Sequence, residues 1–294
     1  GSGALAQLTD DYILSLDGMG RMGRTEVKTR ETASFRFGGA VTTTRLRLLA
    51  GEGQADLDAE LGGESVNLKA RLAGVSLTAF DPDLAGDIDG TFNLHGQGDT
   101  VLGDFAAKLT GARERGSKIE QSLDARITGD LRDQVLTIAA DGANRHGLTS
   151  EARLTLPAVA SAKPLHLAID RTRPMKGTFR AQGEIKPLWD LLLGPERSLS
   201  GKIDAEGALA GTLADPRIVG RASLDNGGFE EGQTGLRLRN ITLRMTLADN
   251  AIDVGQATAE DGLGGALAGD GRISLARDGV SSFKLDLKGF QLIN

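Results

Sequence analysis

The spacing most suggestive of chemistry is a glycine pattern near the start of the chain, Gly18-Met19-Gly20-Arg21-Met22-Gly23. Glycines spaced in this way bind the pyrophosphate of a dinucleotide when a strand precedes them and a helix follows directly. A strand before Gly18 is plausible, but residues 24–33 are charged and rich in threonine, without helical periodicity. We therefore interpret the pattern as a glycine-rich turn and predict no cofactor.

Three other groups of polar residues fall short of a catalytic or metal site. Segment 111–118 has the lysine and hydroxyl of a phosphate loop in the wrong order, and we expect a solvated hairpin end there. The acidic residues of segment 81–89 lack calcium-loop spacing. His95, His146 and His166 lie far apart in the chain, whereas zinc needs three or four convergent ligands. The sequence therefore predicts no metal site, no catalytic residue and no enzyme.

Glycine is the compositional outlier, with 41 of 294 residues, whereas aromatic residues make up only 4%. This balance indicates many turns and small side chains. The net charge of -6 offers no basic face to nucleic acid. The absence of cysteine excludes disulfides and is compatible with the cell envelope and the cytosol alike. No run approaches the 18 or so apolar residues of a membrane helix, and the Gly1-Ser2-Gly3 start leads us to expect a piece of a longer protein.

Apolar and polar residues alternate along most of the chain. The alternation is clearest in segments 54–61, 66–72, 123–127, 152–156, 165–169, 241–247 and 283–287. A period of two predicts strands with one apolar and one solvated face, which is typical of antiparallel sheets. The fold class is therefore predicted to be all-β.

Glycine pairs between the strand segments predict tight hairpin turns, because such turns need positive φ. The predicted turns are Gly62-Gly63, Asp89-Gly90, Asp141-Gly142, Asn226-Gly227 and Asp261-Gly262. The alternation slips by one residue around Asn240, which predicts a β-bulge. At most one short helix is expected, over Pro187 to Leu193, with Gly194-Pro195 ending it.

An internal repeat divides the sequence. Residues 84–89 (LAGDID) and 94–96 match residues 199–204 (LSGKID) and 209–211, an offset of 115 residues. A repeated β-unit favours a body that is extended by adding units. The apolar faces must be buried in a sandwich, in a barrel or in a sheet folded around a groove. Alternation alone is more typical of a closed core, but the inward residues here are mostly aliphatic, like lipid tails.

The segments 199–205 (LSGKIDA), 209–220 (LAGTLADPRIVG) and 226–229 (NGGF), continued by GLRLRNITLRM and GALAGDGRISL, carry a family resemblance. This succession resembles the TamB family, the inner-membrane components of the translocation and assembly module, which are related to AsmA-like proteins. It covers about residues 199–276 well, residues 83–156 as a weaker repeat, and the first 80 residues only in style.

The resemblance implies an elongated, mostly antiparallel β-taco, a repeat-built sheet folded around a hydrophobic groove. Such proteins are anchored in the inner membrane of Gram-negative bacteria, span the periplasm, and work with the outer-membrane barrel TamA. They are implicated in phospholipid transport to the outer membrane and in assembly of outer-membrane and autotransporter proteins. We expect this chain to be a periplasmic segment without the anchor and without the region that meets TamA.

The expected organisation is one continuous rod in three segments. Residues 1–83 form a groove segment, 84–198 a groove repeat ending in a short helix near 187–194, and 199–294 a second repeat. The main hypothesis is conduction of phospholipid acyl chains. A chaperone that pairs its sheet edges with client strands, and an adhesin-like solenoid with a dry core, are the alternatives. Arg45, Arg47, Arg237 and Arg239 are expected to face water.

The predicted lipid-binding residues share the apolar face of the predicted strands. They are Phe92, Leu94, Phe105, Leu123, Ile127, Leu136, Ile138, Leu154, Leu156, Leu165, Leu167, Phe179, Ile203, Leu209, Leu236, Leu238, Leu243, Met245, Ile273, Leu275, Phe283, Leu285 and Leu287.

Overall fold

The computed structural model describes residues 1–8, 11–193, 197–248, 250–276 and 279–291. These residues form twenty strands and one α-helix, and all strand pairs with a defined register are antiparallel. The predicted all-β, antiparallel class with one short helix is confirmed. Contacts divide the chain into two compact units: unit 1 is Gly1–Arg115, Asp124–Ala139 and Leu156–Asp170, and unit 2 is made of the remaining described residues.

Unit 1 contains the first nine strands, most of β10, parts of β11 and β12, and all of β13. A short 3-10 turn at Leu77–Ala79 follows β7. The strands are β1 Ser2–Leu8, β2 Asp11–Asp17, β3 Met19–Met22, β4 Thr25–Phe37, β5 Val41–Ala50, β6 Gly53–Gly62, β7 Ser65–Ser76, β8 Leu84–Gln97, β9 Thr100–Glu114, β10 Leu123–Arg132, β11 Val135–Ala143, β12 Thr149–Ala162 and β13 Leu165–Ile169.

Unit 2 begins with a 3-10 turn at Ile119–Gln121 and includes residues 140–155 of β11, β12 and their connecting loop. Its other elements are β14 Lys176–Glu184, α1 Lys186–Leu193, β15 Arg197–Gly211, β16 Pro216–Glu231, β17 Arg237–Ala248, β18 Ala251–Glu260, β19 Ala266–Ser274 and β20 Ser282–Lys288.

Strands pair with their neighbours in chain order, with two exceptions. β2 pairs with β4, so that β3 forms a side hairpin on β4. β12 pairs along 149–155 with β14 and along 158–162 with β13, so that β13 is a branch. A sheet built in chain order explains the regular alternation in the sequence, because each strand presents its apolar residues to the same side.

Some predicted turns are correct and others are wrong. Gly63 lies in the turn after β6, and Asp261-Gly262 lie in the loop between β18 and β19. The pairs at 89–90, 141–142 and 226–227 instead lie inside β8, β11 and β16. These glycines lie inside strands, where the absence of a side chain lets the adjacent strand approach closely, and the chain does not reverse its direction there. In the 18–23 pattern, Met19–Met22 form a strand and the turn lies at Gly23-Arg24.

The helix and the bulge are found where the sequence predicts them. α1 spans Lys186–Leu193, one residue more than expected, and Gly194-Pro195 lie outside the described residues. At Asn240 the backbone has φ +50°, and the register between β17 and β18 shifts between Arg239 and Thr242.

The repeated sequences form the same local structure. Gly86 in β8 has φ +115° and Gly201 in β15 has φ +117°. The register shifts beside both glycines, between Ala85 and Asp87 and between Ser200 and Lys202. Only glycine adopts this backbone region readily, which explains why both repeats keep it.

Bulges of this kind recur and are followed by buried residues. Residues with positive φ on the partner strands or loops are each followed by a residue that is shielded from solvent. The pairs are Gly74-Val75 and Gly111-Ala112 in unit 1, and Gly147-Leu148, Asn226-Gly227 and Asn240-Ile241 in unit 2. Bulges bend strands, so we define these buried residues as the crease of each unit.

Candidate apolar groove

Directly opposite residues on neighbouring strands share a face of the sheet, and the register assembles the predicted residues into rows. One row in unit 2 contains Ile203, Leu224, Leu243, Ala257, Gly269 and Leu285. The next contains Ala205, Ala222, Met245, Val254, Gly271 and Phe283. A row in unit 1 contains Leu46, Leu57, Ala70, Phe92 and Phe105.

Large apolar side chains of several strands lie over glycines of the adjacent strand. Phe179 is opposite Gly207, and its Cζ lies 2.7 Å from the position a Cβ on that glycine would take. Leu94 over Gly103, Leu154 over Gly177, and Leu285 over Gly269 repeat the arrangement. Because the side chains lie along the sheet instead of standing on it, the apolar lining is low and smooth.

In unit 2, α1 covers one stretch of the apolar face. Ile185, Leu224, Ile241 and Ala259 form a buried cluster, and the partly buried side chains around it include Trp189. The indole N–H of Trp189 donates to the carbonyl oxygen of Arg197 at 2.5 Å. The remaining partly buried members are Leu188, Leu199, Ile203, Phe229, Leu238 and Leu243. We call these residues the covered stretch of unit 2.

In unit 1, the hairpin of β12 and β13 covers the corresponding face. Its small side chains pack on a buried aliphatic cluster whose members are Val66, Leu94, Val101, Leu131, Ala158, Ala160 and Ala162. The Gln134 side chain makes two hydrogen bonds to the backbone of the hairpin. Its Oε1 accepts from the Ala160 N–H at 2.6 Å, and its Nε2 donates to the Ala160 carbonyl oxygen at 2.8 Å. This cluster is the covered stretch of unit 1, and it is a packed core.

Each unit also has an apolar cavity that opens to solvent, and the cavity of unit 1 borders the buried cluster of Ala50, Val75 and Ala79. In unit 2 a cavity of about 760 Å³ is lined by Ala152, Phe179, Gly207, Gly220 and Leu247 with their chain neighbours. All five inner residues are in register across β12, β14, β15, β16 and β17. We call this the open stretch of unit 2.

The open stretch of unit 1 lies beneath the side hairpin. A cavity of about 550 Å³ there is lined by residues of β3 to β7 and of the 3-10 turn. Its apolar residues are Met19, Met22, Val27, Leu48, Ala50, Ala55, Leu72, Val75 and Phe80. Methionine side chains adapt to irregular apolar shapes, so this wall can accommodate chains of different conformation.

The opposite face of the sheet is charged. Ion pairs bridge adjacent strands at Glu206–Arg221, Asp225–Arg244 and Asp253–Arg272. The predicted outward residues Arg45, Arg237 and Arg239 are exposed. Arg47 lies on the same face as Arg45, and its hydrogen bonds to the Asp58 carboxylate raise the pKa of its guanidinium.

The predicted lipid-binding residues divide among four environments. Those in or against the covered stretches are Phe92, Leu94, Leu136, Ile203, Leu238 and Leu243. Leu123 and Leu156 are buried elsewhere, and the half-buried ones are Phe105, Ile127, Ile138, Leu154, Phe179, Leu209, Leu236, Met245 and Ile273. Leu165, Leu167, Leu275, Phe283, Leu285 and Leu287 are exposed.

Among the predicted lipid-binding residues, Phe179 lines the open stretch of unit 2, and the others line neither open stretch. Leu165 and Leu167 are on the branch strand β13, and Leu236 and Leu275 lie just outside β17 and β19. Sequence reasoning missed Leu247, Met19 and Met22, which line the open stretches. Leu247 continues the alternation of β17, whereas the methionines were hidden in a glycine pattern that suggested a turn.

Within the residues described, no helix is both long and apolar enough to cross a membrane. No three or more histidine or acidic side chains in the same residues lie close enough together to hold a metal ion. Comparisons with protein-family models, with curated proteins and with solved structures found no match for this chain.

Proposed function

We propose that this chain is a segment of a TamB-like periplasmic bridge that conducts phospholipids between the inner and outer membranes through a hydrophobic β-groove. The observation that carries the proposal is the open stretch of unit 2, an in-register aliphatic surface beside a cavity of about 760 Å³. Both open stretches fall within the 300–1,000 Å³ typical of small-molecule sites.

The energetics of acyl chains suit such a surface. Transfer of a methylene group from water to an apolar surface is favourable by about 0.8 kcal/mol, or roughly 12 kcal/mol for a chain of 15 carbons. Because the attraction is non-directional, the flat side chains over Gly207 and its neighbours hold a tail without fixing it at one position. This combination supports movement along the surface better than retention of one ligand.

Native mass spectrometry of the purified chain tests the proposal. We expect phospholipid to copurify with the wild type and to be lost from Phe179→Asp, which introduces a charge into the open stretch of unit 2. Gln182→Asp is the matched control, because Gln182 is an exposed outward residue on the same strand and does not line the cavity. Equal lipid recovery from the two variants, both folded by circular dichroism, would reject conduction along this face.

One observation favours a second function, pairing with strands of client outer-membrane proteins. β13 pairs only with β12 among the described strands, and its Leu165 and Leu167 are exposed. A free strand edge can template pairing with another chain. The edge is five residues long. Crosslinks from β13 to unfolded barrel strands, with none to lipid from Phe179, would favour this function over conduction.

A further inference from the structure

A cavity of different character lies in unit 2, where the start of α1 meets the Ile119–Gln121 turn and the loop between β11 and β12. Its volume is about 560 Å³, and the polar residues that line it include Lys118, Asn144, His146, Glu184 and Lys186. None of these residues belongs to the apolar rows. Side chains of both charges therefore line one concave space beside a helix that covers the apolar face.

The side-chain amide of Asn144 forms part of one wall of this cavity. Its Oδ1 accepts the backbone N–H groups of His146 at 2.9 Å and of Leu148 at 3.0 Å. These two bonds fix the orientation of the amide, and its Nδ2 is buried without a partner in the described part of the chain. Since this nitrogen has almost no accessible surface, a ligand in the cavity does not reach it, and the charged side chains are the groups available for binding.

The two lysines of the cavity are placed differently. Lys118 is exposed, and no hydrogen bond or ion pair engages its side-chain ammonium among the described residues. Lys186 donates to Asp190 Oδ2 at 2.7 Å and to Ser198 Oγ at 3.0 Å. An ammonium has three donors, so Lys186 retains one N–H while its position is fixed.

Glu184 supplies the opposite charge. Its Oε1 accepts the backbone N–H of Gly201 at 2.6 Å and that of Lys186 at 3.4 Å. Within the described chain its Oε2 accepts no hydrogen bond. A carboxylate can accept further bonds at that oxygen, and a cationic donor is the group that would use it best.

We infer that this cavity binds a phosphate ester that carries a primary ammonium group. The phosphate lies toward Lys118 and Lys186, because lysine ammonium groups bind phosphate as point charges. The ammonium lies toward Glu184. Assignment of this group to a phospholipid head group rests on the function proposed above, whereas its binding in the cavity does not.

Calorimetric titration of the whole chain with three water-soluble probes tests the inference. Glycerophosphoethanolamine should bind about tenfold more tightly than glycerol phosphate or inorganic phosphate, the difference expected for one charge-assisted contact. Lys118→Gln should weaken its binding about tenfold. Lys202→Gln, which changes an exposed lysine on β15 outside the cavity, should leave binding unchanged.

Glu184→Gln separates the two ends of the ligand. The amide oxygen can still accept from Gly201, so the variant is expected to fold with wild-type circular dichroism. It should weaken glycerophosphoethanolamine about tenfold and leave inorganic phosphate unaffected.

Three results would overturn the inference: no probe binding at millimolar concentration, inorganic phosphate binding as tightly as the zwitterion, or an equal effect of Lys118→Gln and Lys202→Gln. Because the probes have no acyl chain, these results are independent of Phe179→Asp. Probe binding with unchanged lipid recovery in Phe179→Asp would retain the head-group site and reject conduction.

Discussion

One row of unit 2 is covered at one end and exposed at the other, although its residues come from strands with the same alternating pattern. Ile203, Leu224 and Leu243 occupy one row beneath α1, where Leu224 is 3% exposed. Leu285, in the same row on β20, is 52% exposed. The comparison teaches that strand pattern places residues on the apolar face, and that a covering element decides whether they form a core or a surface.

The covers of the two units differ in chemistry. The hairpin of unit 1 approaches closely through alanine side chains and is fixed by backbone and Gln134 hydrogen bonds. The helix of unit 2 packs through larger side chains, with one indole hydrogen bond near its end. We expect the first cover to tolerate no added volume and the second to be more easily removed.

The largest expected effect distinguishes two leucines of one row. Leu224→Ala should lower the free energy of unfolding by about 2–5 kcal/mol, because it leaves a cavity in a packed core. Leu285→Ala should cost less than about 1 kcal/mol, since half of its surface is already in water. Urea denaturation measures both. Equal losses would show that the covered stretch is not a distinct core.

The hairpin cover of unit 1 is sensitive to added volume. Ala160 is 3% exposed against the aliphatic cluster, so Ala160→Leu should destabilise the chain by about 1–3 kcal/mol through overpacking. Val159→Leu, at an exposed position on the same strand, is the control and should have little effect in the same urea experiment. A neutral Ala160→Leu would mean that the hairpin packs loosely.

The helical cover of unit 2 should be easier to detach. Trp189→Ala removes a half-buried ring and its hydrogen bond to Arg197, and we expect a loss of about 1–2 kcal/mol, below the range for fully buried tryptophan. Exposing this stretch should also increase lipid recovery in native mass spectra. Leu192→Ala on the exposed side of α1 should change neither property; a larger effect from it than from Trp189→Ala would contradict the assignment.

The smallest expected effect is a pH dependence at the loop between β18 and β19, which follows the covered residue Ala259. Backbone N–H groups of Gln291, Leu263 and Gly265 hold the pKa of Asp261 below its ordinary value. The stabilisation is therefore complete above the unfolded-state pKa, near 3.9, and is lost as the pH falls through the lower folded-state value.

Thermal unfolding between pH 2 and pH 6 checks this loop. Asp261→Asn should lower the melting temperature near pH 6 and show a smaller decrease on acidification than the wild type. Parallel pH profiles for the two proteins would show that Asp261 does not contribute.

The sequence predicted the strand class and the inward faces because a period of two is a local property of the chain. The creases could not be predicted in the same way. Asn226-Gly227 suggested a hairpin turn, but the positive φ of Asn226 produces a bulge inside β16, and the difference depends on pairing with β15 and β17.

The elements that cover the apolar face could not be predicted from the sequence either, because their positions depend on tertiary packing. The helix was predicted, but not that its neighbours Ile203 and Leu243 would become core residues beneath it. Leu165 and Leu167 alternate as regularly as any predicted groove residues, yet β13 branches from β12 and leaves them exposed. Pairing of large apolar residues with glycines across the sheet, as in Phe179 and Gly207, does not separate the two cases, since Leu94 pairs with Gly103 in the buried cluster of unit 1.

The most direct test of the account is photocrosslinking from three positions on β17, after the chain is mixed with phospholipid vesicles. A photoreactive residue at Leu247 reports the open stretch, one at Leu243 the covered stretch, and one at Arg244 the charged face. We expect phospholipid adducts from position 247 and only background from the other two. Adducts of equal yield at all three positions, or none at 247, would contradict a lipid-conducting surface.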